Sequence, residues 1–190
     1  MAKSADIKIV SKIQPIPLAT LRIRYVPVLT PLEIWNYDMR LKNSPHVELI
    51  QLIMKYGLDW DMIMKTRYVK ERQHRYVCGL DKWTEEKIIA HVIKRWKIYK
   101  SLRKYGYSKK KEHGNPVIVL KKGFWKSRFG MKEKWLKGME IWNGAGRCAA
   151  AYCMGWDFYP AVLAKDRYPK SHKKGKFKNK LRNVKGIWDD

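Results

Sequence analysis

Between Thr84 and Gly106 the apolar residues Ile88, Ile89, Val92, Ile93, Trp96, Tyr99 and Leu102 return with the 3.6-residue period of a helix. Thr84 is a capping residue, and Glu85 and Glu86 suit the positive end of the helix dipole. Gly106 ends the pattern. A helix of this kind needs a surface for its apolar stripe, and the short apolar runs that follow supply one. Asn115-Pro116-Val117-Ile118-Val119-Leu120, Met139-Glu140-Ile141-Trp142 and Pro160-Ala161-Val162-Leu163-Ala164 read as strands. A helix over Cys148 to Met154, closed by Gly155, separates the last two. The expected fold class is α+β: a small mixed sheet with packed helices.

The N-terminal half fits the same plan. Ile7 to Leu18 reads as a strand whose Pro15 and Pro17 confine it to an edge or a bulge. Thr30-Pro31-Leu32-Glu33 and Ser44-Pro45-His46-Val47-Glu48 each look like a helix start, with a capping hydroxyl and proline in the first turn. Val47, Leu49, Ile50, Ile53 and Met54 continue the second stripe to Gly57. Residues 66–76 are a dense polar stretch. These features predict one domain over residues 1–165 with a helical insertion at about 30–83, then a basic tail over 166–190. From Lys165 onward that tail carries ten Lys/Arg against three Asp, with little to pack, and is expected to order only on a partner.

Charge points to the partner. The chain has 42 Lys+Arg against 17 Asp+Glu, a net +25, and a compact body with that excess repels itself unless a polyanion neutralises it. DNA or RNA is the first choice, because each phosphate contact releases condensed counterions. An anionic membrane surface and a simply soluble basic protein are the competing readings. The N-terminus lacks the apolar core of a secretory signal, and no apolar run is long enough to span a bilayer, so a cytoplasmic protein without a membrane partner is expected. Cys78, Cys148 and Cys153 form no Cys-x-x-Cys and read as reduced thiols. No cluster suggests zinc, and no metal site is expected.

The segment Ile141-Trp142-Asn143-Gly144-Ala145-Gly146-Arg147-Cys148-Ala149-Ala150-Ala151-Tyr152-Cys153-Met154-Gly155-Trp156, followed by Pro160-Ala161-Val162, resembles the ParB/sulfiredoxin superfamily in its divergent phage or mobile-element form. There a strand ends in Asp-Gly-x-x-Arg and runs into an Ala-rich helix. Ile16-Pro17-Leu18-Ala19-Thr20-Leu21 is similar to the family's first strand. The resemblance implies a ParB-like nuclease-domain fold and a nucleotide such as CTP or ATP with magnesium as the cofactor to consider. Here the usual Asp is Asn143, and Ala145 stands at the sulfiredoxin nucleophile position, where it supplies neither nucleophile nor acid. The resemblance therefore implies phosphate recognition ahead of catalysis.

The residues support that reading on their own terms. A strand turning through Gly144 and Gly146 into a helix presents unpaired N–H groups and the positive dipole end, which suits phosphate. Arg147 can fork onto phosphate oxygens. Asn143, Gly144, Ala145, Gly146 and Arg147 are thus the candidate phosphate or nucleotide site, although a purely structural turn explains Gly-x-Gly-Arg equally well. Arg67, Lys70, Arg72 and Arg75 lie among Tyr68 and Tyr76. Lys121, Lys122, Lys126 and Arg128 lie among Phe124, Trp125 and Phe129. Cations interleaved with rings suit single-stranded nucleic acid, although for Arg67 to Arg75 a solvated charged face whose rings pack inward explains the pattern equally well. Lys173 and Lys174 in the tail add sequence-independent affinity. His46 is either a site residue or part of a helix start capped by Ser44. The expected function is nucleic-acid binding. The alternatives are a nuclease or nucleotide-dependent phosphotransferase using an acid such as Glu140 or Asp157, and a basic subunit of a virion or ribonucleoprotein assembly. A homo-oligomer or a larger nucleoprotein assembly fits either binding reading.

Overall fold

The longest strand among the described residues, Phe158–Asp166, organises the sheet. The computed structural model describes residues 7–23, 40–77, 83–108, 117–120 and 139–166. In chain order the strands are β1 (Ile7–Ile9), β2 (Gln14–Pro17), β3 (Leu21–Ile23), β4 (Val117–Leu120), β5 (Met139–Asn143) and β6 (Phe158–Asp166). The helices are α1 (Pro45–Tyr56), α2 (Trp60–Met64), α3 (Arg67–Val77), α4 (Glu85–Tyr105) and α5 (Ala145–Cys153). Strand β6 runs parallel to β4 on one side, while β1 and β2 pair antiparallel along its other side. Strand β5 continues from β4 antiparallel, and β3 lies parallel to β5 at the far edge. The sheet is mixed, and the fold is α+β.

Several expectations change in detail, each for a physical reason. The single strand expected over Ile7 to Leu18 is two short strands on one edge of β6, and both prolines lie in β2, which pairs on one side only. The break between them is stitched by Val10 N–H to the Leu163 carbonyl at 2.8 Å and by Leu163 N–H to Ser11 Oγ at 2.8 Å. Pairing with both strands extends β6 two residues beyond each end of the apolar run that announced it. The polar stretch at 66–76 is mostly helix, because α3 buries Tyr68, Val69 and Arg72 along one face. Helix α5 starts three residues before Cys148, since Gly144 alone makes the turn. The helix start at Thr30 lies outside the described residues, as do the tail beyond Asp166 and the basic–aromatic segment 121–138.

Two clusters of buried side chains share α1 and α4. In the first, Leu21, Ile23, Val117, Val119, Ile141 and Ala161 on one face of the sheet meet Ala149, Ala150 and Ala151 of α5 and Val47 and Ile50 of α1. Three successive alanines let α5 approach both neighbours closely. The second lies among helices: Leu49 and Ile53 of α1, Ile63, Tyr68, Val69, Ile88 and Val92. Ser44 caps α1, accepting from Val47 N–H at 3.2 Å, and Asp59 caps α2, accepting from Met62 N–H at 3.1 Å. The other face of the sheet carries Arg22 and Glu140, directly opposite in the β3–β5 register and paired at 3.7 Å with almost no exposure.

Candidate phosphate-binding site

Strand β5 ends at the exposed Asn143, and the chain turns into α5 through Gly144 at φ +104°. Glycine is required twice over here. The backbone is left-handed, and a Cβ would overlap Val117 Cγ1 and sit 2.9 Å from Arg147 Nη2. The Gly144 carbonyl accepts the Arg147 and Cys148 N–H groups at 2.9 and 3.0 Å. Ala145 and Gly146 are left with N–H groups that have no acceptor within the helix, at its positive end.

Arg147 is 8% exposed and folds back beside Gly144. Its charge acts on the Cys148 thiol and the Tyr159 hydroxyl, opposing the burial that raises both pKa values. Arg147 thus braces the turn from beneath. The cation lying across the start of α5 is a different one. A Cβ on Gly146 would meet Arg95 Cδ at 2.5 Å and both Nε and Nη1 at 2.7 Å, so the Arg95 side chain rests directly on the helix backbone.

Arg95 leads into a group of basic and aromatic side chains built on α1, α3 and α4. Its Nε donates to the Tyr68 hydroxyl at 3.2 Å. Tyr68 is fully buried, and its ring meets His46 edge-on at 5.1 Å between centroids. The Arg72 guanidinium stacks 3.4 Å over the Tyr68 ring, donates to the Tyr68 carbonyl at 2.7 Å and faces Trp83 at 5.1 Å. Trp83 in turn meets His91 edge-on at 4.5 Å. The Nδ1 atoms of His46 and His91 are buried and have no hydrogen-bond partner. Burial, and then Arg72 and Arg95, hold His46 well below the ordinary imidazole pKa. His91 is pushed down to about 4 by burial, then by Arg95, Arg72 and Lys94. Both rings are therefore neutral at pH 7, in a field set by cations.

The candidate cations read from the sequence divide accordingly. Arg67 pairs with the Glu48 carboxylate and donates Nη2 to the Asn43 carbonyl at 3.2 Å, tying α3 to the start of α1. Arg72 turns inward, Lys70 is exposed, and Arg75 belongs to α3 with its side chain outside the described residues. Lys121, Lys122, Lys126, Arg128, Lys173 and Lys174 also lie outside them. Ser44 does cap α1, and the same turn delivers His46 to Tyr68. Sequence reasoning missed Arg95, His91 and Trp83. Arg95 carried a signal: it falls at the seventh residue after Ile88, between Val92 and Tyr99, on the buried face of α4.

The acids considered for catalysis lie elsewhere. The Glu140 carboxylate is buried against Arg22, and Asp157 is exposed beyond the opposite end of α5. Among the described residues no three His, Cys, Asp or Glu side chains come together as metal ligands, and no helix is long and apolar enough to cross a membrane. Comparison with protein-family models, with curated proteins and with solved structures finds no match to this chain.

Proposed function

We propose that this protein binds nucleic acid and holds a phosphate at the turn from Asn143 to Arg147. The observation that carries the reading is Arg95 resting on the buried Gly146, which sets a guanidinium beside the first-turn amides at the positive end of α5. The first-turn amides, which carry the positive end of the helix dipole, and a guanidinium fork of N–H donors both attract a phosphate oxygen. The net charge of +25 supplies the long-range field that draws a polyanion to the surface. The strand–glycine–helix arrangement, with its Ala-rich helix, also supports a ParB/sulfiredoxin-like assignment of the domain.

Binding is preferred to turnover because the turn holds Asn143, Ala145 and Gly146 and no acid, base or nucleophile. The test is affinity for single- and double-stranded DNA and RNA across a salt series, repeated with CTP, ATP and magnesium while hydrolysis is followed. The expected result is binding that weakens steeply with salt, without turnover, and that Arg95→Ala weakens at every salt concentration. Retention of full affinity by both Arg95→Ala and Arg147→Ala, each shown to be folded, would remove the phosphate site from the account. Magnesium-dependent cleavage would replace binding with enzymatic function.

A further inference from the structure

Three helices of this protein end against one cavity. It has a volume of about 490 Å³ and lies at the opposite end of α5 from the glycine turn. Among the described residues, α1 lends it Met54 from its last turn, and α4 lends Tyr99, Leu102 and Arg103 with the capping Gly106. From α5 come Cys153 and the cap residue Met154, and Trp156 follows two residues on. The size falls within the range of small-ligand pockets, about 300–1,000 Å³. Both rings are held by neighbouring rings. Tyr99 stacks on Trp96 at 5.2 Å between centroids and 9° between planes, and Trp156 on Tyr159 at 6.1 Å and 23°. Side chains fixed in this way lose little freedom on meeting a ligand. Tyr99 and Leu102 are almost fully buried and lie at the base of the cavity, whereas Met54, 43% exposed, and the exposed Arg103 mark its solvent side.

Electrostatics narrows what can enter. The last carbonyls of a helix have no N–H ahead of them, so α1, α4 and α5 each bring the negative end of a dipole to the cavity. An anion is disfavoured inside. A cation is disfavoured by Arg103 on the wall and by the net charge of +25. What fits is a neutral group, flat enough to lie against an aromatic ring and the two methionine thioethers, with N–H donors for carbonyls and acceptors for the Arg103 guanidinium. A nucleobase has all of these features, and a polyanion that carries bases is what the charge of the chain attracts. We propose that this cavity receives one unpaired nucleobase of a bound single strand, while the sugar–phosphate backbone stays outside, beside the exposed Lys100 and Lys104 of the last two turns of α4. The inference rests on the nucleic-acid reading and deepens it, because it selects single strands: a base inside a duplex leaves its stack only at a cost.

The experiment is a fluorescence-anisotropy titration of the full-length protein with two labelled single strands of equal length and charge. One carries a base at every position and the other carries abasic sugars. The base-bearing strand is expected to bind about tenfold tighter at each salt concentration, the effect of one stacked base. Trp156→Leu, checked for folding by circular dichroism, should bring that strand down to the abasic affinity and leave the abasic affinity unchanged. A strand substituted with 5-iodouracil gives a second reading on the unaltered protein, since irradiation of the complex should crosslink the peptide that contains Met154 and Trp156. Equal affinity of the two strands would overturn the base pocket and leave the nucleic-acid reading standing. A preference that survives in folded Trp156→Leu, or crosslinks that leave that peptide unlabelled, would put the base elsewhere and overturn the pocket in the same way. Absence of binding by either strand would remove both readings.

Discussion

Arg95 crosses the start of α5 at Gly146 so closely that a single methyl group there would sit 2.5 Å from its Cδ. The obstructing atoms belong to a flexible side chain, so Gly146→Ala would swing Arg95 aside at little cost to the fold. Alanine also gains helix propensity of up to about 1 kcal/mol over glycine. The variant is therefore expected to be as stable as the parent, or slightly more so, while losing about tenfold in affinity for phosphate-bearing ligands. Gly144→Ala should behave in the opposite sense, because its Cβ meets Val117 under a left-handed backbone. It should destabilise by about 1–3 kcal/mol. Urea denaturation and binding titrations on the two variants separate the roles of the two glycines.

The charged pair inside the sheet offers a second test. Arg22 and Glu140 face each other across β3 and β5 at 3.7 Å, both essentially without exposure, and burial draws the Arg22 pKa down while Glu140 pushes it back up. Glu140→Ala removes the carboxylate that faces the buried Arg22 guanidinium and should destabilise by about 3–5 kcal/mol. Replacing both with apolar residues, Arg22→Met with Glu140→Leu, should recover most of that loss. If Glu140 served as a catalytic acid, the double variant would lose activity while remaining folded. Denaturant midpoints and a nuclease assay on the two proteins decide the matter.

How far the sequence was legible depended on whether polar residues interrupted a pattern. Helix α4 and strands β4 and β5 announce themselves because Ile88, Val92, Tyr99, Val117, Val119 and Ile141 are apolar wherever they are buried. The glycine turn was legible because Gly144 has a backbone reason to be glycine. Helix α3 was obscured because one of its inward positions is Arg72, and a guanidinium stacked on Tyr68 looks in sequence like any solvated charge. Arg95 was hidden in the same way within an otherwise clear stripe. Arg147 was legible as a member of the site but not in its orientation, since sequence does not reveal that the side chain folds beneath Gly144. Inward-facing cations are where reasoning from hydrophobic pattern fails, and Arg72 and Arg95 lie beside the candidate site.

Burial, and then the neighbouring cations, fix how stability responds to acid through two histidines. His46 and His91 are held neutral in the folded protein, His91 down to about 4, whereas both titrate near 6.5 when unfolded. The unfolded chain therefore binds more protons below about pH 6.5, and unfolding is favoured increasingly as pH falls from there toward 4. The thermal midpoint should drop across that window in the free protein. His46→Gln and His91→Gln should each flatten the decline.

The two described thiols make the last prediction. Cys148 is completely buried in α5, Cys153 lies partly buried near its end, and burial pushes both thiols up to about 12. Only the thiolate is nucleophilic, so near neutral pH both thiols stay almost wholly in the unreactive protonated form. Arg147 lowers the Cys148 value, but less than burial raises it. Alkylation of the native protein followed by peptide mapping should leave both Cys148 and Cys153 unmodified, and denaturant should expose both to rapid labelling. Labelling of Cys148 under native conditions would mean that α5 leaves the sheet on the timescale of the reaction. A phosphate ligand at the start of α5 should then slow that labelling in proportion to its occupancy, because the same helix carries the turn and the thiol.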